Sequence, residues 1–454
     1  MKNIFVIGAG LVSQPLIDYL LQHSETHNWK VTVGDINLQL AREKVKNHTN
    51  AKAIEFNVLD DEQRETQIKQ HDVVVSLLPA TMHHIPAKSC LKHNSHLVTA
   101  SYVSKELKKM NEAATNKNLL FLNECGLDPG IDHMTIMSIL DQIEEKNGQL
   151  TSLRSYTGGL IAPESDTNPW NYKFTWAPRN VVLAGQGTAQ YKKNNRLKFI
   201  PYNRLFKIYD EISIKGYGNF DAYANRDSLK YINKYNLKNI PTFIRGTLRK
   251  QGFCNAWATL VQLGLTDDSF PIIGSQKLTY NEMISSFLPE VGATDKHNLK
   301  KRVQQFLDLP NNNVIIEKLE WLELFDNRKI RLKNATPAQI LQDLLEEKWA
   351  LEPNDKDLII MTHIIEYELN GKTEKLTSTL TYEGKDAEDT AMSRLVGVPL
   401  AIATKLLLTE KITQKGVKIP IEKQIYEPIL EELEKYGVSF TESVEVKDNL
   451  IAQH

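Results

Sequence analysis

The chain of 454 residues is poor in cysteine, in net charge and in long apolar runs. Its three cysteines, Cys90, Cys125 and Cys254, are odd in number and widely spaced, which supports neither a disulfide framework nor a CxxC metal site. A reducing cytoplasm is the expected compartment. Lys plus Arg at 55 nearly cancels Asp plus Glu at 56, so no global field favours nucleic acid or anionic lipid. The N-terminal apolar segment Ile4–Ile7 is too short for a signal-peptide core, and no run of about 18 apolar residues occurs. Neither a membrane nor a nucleic acid is therefore an expected partner. His83, His84 and the scattered remaining histidines lack HExxH or another ligand spacing, so no metal is expected.

Hydrophobic residues at 41% and charged residues at 24% are ordinary globular values, and the length exceeds what one core usually supports. Two or three compact units are expected. Short apolar runs at Ile4–Ile7, Val31–Val33, Ile54–Val58, Val73–Leu78, Leu97–Ala100 and Leu119–Leu122 alternate with helix-like segments. They are rich in Val, Ile and Leu without strict alternation, as parallel strands buried on both faces require. This predicts an α/β, Rossmann-type doubly wound parallel sheet over residues 1–128. A helix is expected to begin near Ile131, and the aromatic and glycine-rich stretch Tyr156–Pro178 points to shaped loops on a second domain. Helical spacing dominates from about 253 to 350. Asn370-Gly371 marks a hairpin with a tight primed turn. Helices are expected over Thr390–Leu408 and Ile425–Lys435, separated by a turn at Gly416–Pro420.

Gly8-Ala9-Gly10-Leu11-Val12 follows the first strand and opens a helix, the context that a dinucleotide fingerprint needs. Gly8 permits the tight turn, Gly10 lets a pyrophosphate approach the backbone, and the helix start supplies N–H groups and a favourable dipole. Ser13 stands where the third glycine is usual. Asp35, ending the second strand, is placed to accept hydrogen bonds from the adenosine ribose and to repel a 2′-phosphate, which favours NAD over NADP. The alternative is a structural turn with Asp35 capping the next helix.

The string Asn123-Glu124-Cys125-Gly126-Leu127-Asp128-Pro129-Gly130-Ile131-Asp132-His133 resembles the saccharopine dehydrogenase family, in particular its glutamate-forming branch. The likeness continues through Ser155–Leu160, Tyr172–Trp176, Tyr223–Ser228, Arg245–Arg249 and Val396–Pro399. The resemblance implies that the Rossmann domain is rejoined by about 390–454, and that 129–389 is an α+β substrate and dimerisation domain with a helical portion at about 253–350. It implies a homodimer and an amino-acid substrate, saccharopine, interconverted with glutamate and 2-aminoadipate 6-semialdehyde through NAD(P) chemistry. A related imine reductase such as a carboxynorspermidine dehydrogenase, or a catalytically silent dinucleotide sensor, is the alternative.

By the same resemblance, Asn57 and Val58 lie near adenine, Leu77, Leu78 and Pro79 beside the nicotinamide ribose, and Ala100 and Ser101 at the cofactor. Ser101 and Tyr102 face saccharopine, and Thr247 and Leu248 offer backbone contacts. Arg226, Arg245 and Arg249 lie in matching segments, and the planar guanidinium fork suits the carboxylates of a long diacid. Asp128 is the candidate catalytic, proton-handling or amine-binding carboxylate, although Asp before Pro is also an ordinary turn. Thr157 stands where some relatives carry a cysteine, leaving Asp128, Tyr102, Lys173, His133 or water to move protons.

Overall fold

A computed structural model describes residues 1–184, 186–290, 298–310 and 313–448. The chain forms two compact units, Met1–Leu150 with His363–His454, and Thr151–Thr362. The strands of the first unit's main sheet are β1 (Lys2–Ile7), β2 (Trp29–Asp35), β3 (Ala51–Glu55), β4 (Val73–Ser76), β5 (His96–Val98) and β6 (Leu120–Leu122). These strands pair in parallel, and the order β6-β5-β4-β1-β2-β3 reverses direction between β1 and β4. That reversal is where ligands of such sheets bind, outside the carboxyl ends of the strands. Ile4, Phe5, Val6, Val73, Val74 and Val75 are fully buried, which explains why these runs carry no polar alternation.

Two local expectations shift. The run Ile54–Val58 straddles the end of β3, because an outer strand with partly exposed faces leaves its bulkiest buried residues, Phe56 and Val58, in the loop beyond the ladder. The segment 416–420, expected as a turn, begins with a seventh strand, Gly416–Lys418, which extends the sheet in parallel beside β6. Three residues at an edge are too few to leave a period-two pattern.

The unit boundaries fall at 150 and 363, beyond the expected 128 and before the expected 390. The helix Ile131–Glu145 belongs to the first unit because it packs on the helix Lys423–Glu434 of the same unit. The Asn370-Gly371 turn forms with φ of 52° and 79°, and its second strand, Lys372–Glu383, pairs antiparallel with Thr441–Asp448. The helix Ala391–Leu408 is capped by Thr390, whose side chain accepts from Ser393 N–H at 3.0 Å. It is long and apolar enough to cross a membrane, yet 72% of it is buried within the protein. A Cβ at its Gly397 would lie 3.0 Å from Val12 O and 3.1 Å from Leu16 N, so glycine there lets the helix approach the backbone of the first Rossmann helix, Ser13–Gln22.

In the second unit the sheet strands run Tyr209–Ile214, Gly218–Ala224, Thr242–Lys250 and Gln149–Ile161, the last entering from the first unit. The first two junctions are antiparallel and the third is parallel. Helices Phe253–Gln262, Tyr280–Ser286, Leu299–Phe306, Val314–Trp321 and Pro337–Lys348 form the expected helical portion. Trp170, Trp257 and Trp349 are buried at its centre, with ring centroids 5.5–6.4 Å apart.

Candidate active site

In the first unit, Gly8 has φ +108°, and its N–H donates to Gly34 O at 2.8 Å. Nothing lies within 4 Å of a Cβ built on Gly10, so the backbone at the helix start is open to a ligand. Ser13 fills the third glycine position while buried, its hydroxyl donating to Gly10 O at 2.7 Å, so it tightens the turn without obstructing it. Asp35 Oδ2 accepts from Ala9 N–H at 2.8 Å and Oδ1 from Asn37 N–H at 2.8 Å, which locks the glycine turn to the end of β2. Beside it is a cleft of about 210 Å³ whose walls include Gly34, Ile36, Phe56, Val58, Leu78 and Met82.

Asp35 and Asn57 also line this cleft, and the Asn57 side-chain oxygen accepts from Leu59 N–H at 3.0 Å. Leu77 lies under Gly8, whose Cβ would come within 3.3 Å of Leu77 Cβ. Leu11 and Pro79 are exposed and Val12 is half-buried, so Leu11 offers a ligand its backbone rather than a packed side chain. Ala100 packs against Gly126, where an added Cβ would meet its methyl at 2.9 Å. An open glycine at a helix start, a carboxylate on the wall of the neighbouring cleft and that cleft's apolar lining together fit a nicotinamide dinucleotide.

Ser101 belongs to a hydrogen-bonded chain that sequence reasoning missed. Its Oγ is 2.7 Å from His83 Nε2, and His83 Nδ1 is 2.8 Å from Ser76 Oγ. Burial, reinforced by His84, lowers the His83 pKa to about 4, so the ring is neutral near pH 7. The available signal was the His83-His84 pair, which carries no recognisable ligand spacing.

Tyr102 O–H donates to Asp128 Oδ1 at 3.2 Å. The loop bearing Asp128 closes on itself: Gly126 N–H donates to Pro129 O at 2.9 Å and Ile131 N–H to Gly126 O at 2.9 Å. Glu124, buried with φ +58°, accepts from Val103 N–H at 3.2 Å and lies 2.8 Å from His133 Nε2. His133 Nδ1 is 3.5 Å from Asp132 Oδ2, and Asp132 Oδ1 accepts from Gly130 N–H at 2.7 Å. Glu124 thereby ties the Tyr102–Val103 segment to the Asp128 loop. Among the side chains left open for proton transfer, His133 is engaged by buried carboxylates, while Lys173 of the second unit pairs with Asp355 at 2.6 Å in that unit's interior. Asp128 and Tyr102 are engaged with one another.

In the second unit, Arg245, Thr247 and Arg249 share one face of the strand Thr242–Lys250 by its period of two. Leu248 points the other way into the core, and its carbonyl accepts from Arg249 Nη1 at 2.9 Å. Thr247 sits in register with Thr157 of the neighbouring strand. Arg249 is 3% exposed, its guanidinium 5.0 Å from the Tyr172 ring centre and 5.7 Å from that of Phe253. Its Nε has no hydrogen-bond partner, and among the described residues no carboxylate pairs with it. The cross-strand neighbour Asp221 instead accepts from Gly252 N–H at 3.0 Å and Cys254 N–H at 2.9 Å. Arg245 is buried and lies 4.3 Å over the Tyr231 ring. Arg226 is exposed and has φ +45°, its carbonyl accepting from Gln190 N–H at 2.7 Å. Left-handed backbone is uncommon at a non-glycine residue, and here it accompanies the Gln190 contact that closes the turn.

A Rossmann unit equipped for a nicotinamide dinucleotide, followed by a unit with buried arginines, defines a nicotinamide-dependent oxidoreductase. The chain belongs to the saccharopine dehydrogenase family: residues 4–122 match its NADP binding domain and residues 126–438 its C-terminal domain. It is similar to the NADP(+), L-glutamate-forming saccharopine dehydrogenase of Saccharomyces cerevisiae, at 34% identity over 97% of this chain and 99% of that protein. The enzyme of the same name from Schizosaccharomyces pombe is 32% identical over 98% of this chain and 99% of that protein. The solved apo structure of the L-Glu forming saccharopine dehydrogenase from Saccharomyces cerevisiae has a TM-score of 0.89 at 33% identity, covering 98% of this chain and 100% of that chain.

Proposed function

We propose that the chain interconverts saccharopine with L-glutamate and 2-aminoadipate 6-semialdehyde, using a nicotinamide dinucleotide. The observation that carries this reading is Arg249, a buried guanidinium with no carboxylate of its own in a chain that matches glutamate-forming enzymes end to end. A buried cation of this kind is completed by an anionic ligand, and the planar fork fits a carboxylate. Arg245 and Arg226 serve further carboxylates of the same substrate. The bound dinucleotide supplies the hydride acceptor, or in reverse the hydride donor. Asp128, with Tyr102 at its Oδ1, holds the proton that leaves the substrate nitrogen or the attacking water. Purified protein given saccharopine and dinucleotide should develop absorbance at the reduced nicotinamide band. Turnover of carboxynorspermidine and not of saccharopine would overturn the reading.

The dinucleotide is NAD. Asp35 directs a carboxylate toward the cleft, Ile36 follows it exposed, and no Lys or Arg is among the residues that line the cleft, so nothing there answers a 2′-phosphate. The Saccharomyces cerevisiae and Schizosaccharomyces pombe relatives carry NADP(+) in their names, so the difference is testable against them. Asp35→Ala removes an acceptor for the ribose and also the brace on Ala9 N–H. Charged hydrogen bonds of this kind support an expected fall of roughly tenfold to a hundredfold in kcat/KM with NAD and a narrower preference over NADP. Wild-type efficiency higher with NADP would contradict the assignment. The three cysteines are buried free thiols, which supports action in the reducing cytoplasm.

A further inference from the structure

The buried chain Ser76–His83–Ser101 lies at the carboxyl ends of β4 and β5, on the ligand side of the sheet's switch point. Ser76 and His83 are each 1% exposed, whereas Ser101 is half-buried. A neutral imidazole donates from one nitrogen and accepts at the other, so its tautomer decides what each serine offers. The Ser76 hydroxyl has His83 Nδ1 as its hydrogen-bond partner. With the proton on Nδ1, the buried Ser76 O–H would be left without an acceptor, a cost the other tautomer avoids. With the proton on Nε2, Ser76 donates to Nδ1, Nε2–H donates to Ser101 Oγ, and the Ser101 hydrogen is released to point outward. Thr99 Oγ1 accepts from Ser101 N–H at 3.3 Å and fixes the backbone from which this hydroxyl projects.

We infer that His83 is a positioning residue: through Ser76 and Ser101 it fixes the Ser101 hydroxyl as a hydrogen-bond donor to an acceptor oxygen of the bound ligand. The acceptor is a carboxamide oxygen if it comes from the dinucleotide and a carboxylate oxygen if it comes from the amino-acid substrate. The inference rests on the proposed placement of Ser101 at the ligands.

The test is a double-mutant cycle on kcat/KM for each substrate, with the dinucleotide dissociation constant measured by fluorescence titration and folding checked by melting temperature. Ser101→Ala removes the donor and His83→Phe removes its support, each lowering kcat/KM about tenfold for the ligand that carries the acceptor. The double variant should be no worse than Ser101→Ala alone. His83→Gln, which reaches the Nε2 position, should recover more than His83→Asn, which reaches only Nδ1. These two polar replacements also carry the comparison if the bulkier Phe does not fold. A double variant at the product of the two single losses, or equal behaviour of Gln and Asn, overturns the inference. A silent Ser101→Ala with normal saccharopine turnover overturns it too, leaving the proposed reaction standing. Absence of saccharopine turnover in the wild type strikes the reaction instead, and the cycle is then decided on the dinucleotide dissociation constant.

Discussion

Arg249→Met is expected to raise the KM for saccharopine about thirtyfold or more while leaving the melting temperature at or above that of the wild type. The two effects have the same origin. A guanidinium 3% exposed, with one carbonyl acceptor and an unbonded Nε, has lost its water and gained no counter-charge. The folded protein carries that desolvation cost until a carboxylate arrives. Methionine has similar bulk and no charge, and its thioether suits the Tyr172 and Phe253 rings that now flank the guanidinium. The binding step loses a charge-assisted, desolvated contact of about 2–5 kcal/mol, with every 1.4 kcal/mol a factor of ten. Steady-state kinetics with each substrate varied in turn, beside calorimetry, reads both quantities. A KM for the dinucleotide that rises as much as that for saccharopine would remove Arg249 from direct substrate contact. A lowered melting temperature would mean that the cation has structural partners it can ill lose.

The contrast among the three arginines shows where sequence reading reaches its limit. Arg226, Arg245 and Arg249 are the same residue type in neighbouring matched segments, and nothing in their local sequence separates them. Their environments differ because Arg245 and Arg249 lie on one face of a buried strand, whereas Arg226 occupies a left-handed turn and is exposed. The glycine turn and Asp35 were legible because their chemistry is local: a tight turn after a strand, a helix start, and a carboxylate at the next strand's end. His83 was visible only as a histidine without ligand spacing, because its role is created by the ends of two strands and the start of a helix meeting in space. The strand Gly416–Lys418 escaped for a related reason, since its pairing with β6 joins residues nearly 300 positions apart in the chain.

Gly130→Ala is expected to be the most damaging small substitution in the first unit, and comparison with Gly10→Ala shows why two glycines of similar appearance in the sequence do different things. At Gly130, φ is +152°, and an added Cβ would lie 2.0 Å from Gly126 O and 2.3 Å from Gly126 N. These are backbone atoms held by the Gly126–Pro129 and Ile131–Gly126 hydrogen bonds, so no side-chain movement relieves the clash. The methyl must open the loop that presents Asp128 to Tyr102 and that Asp132 braces from Gly130 N–H. Strain and broken hydrogen bonds together predict a loss of about 3 kcal/mol or more of stability, with activity falling in parallel. At Gly10 nothing lies within 4 Å of the new methyl, so Gly10→Ala should melt like the wild type and instead weaken dinucleotide binding, because the methyl occupies space the pyrophosphate needs. Melting temperature and dinucleotide titration on the two variants separate a glycine required by the fold from one required by the ligand. A Gly130→Ala protein with wild-type stability would show that the loop closes differently from the geometry described, and that Asp128 is not held where Tyr102 O–H reaches it.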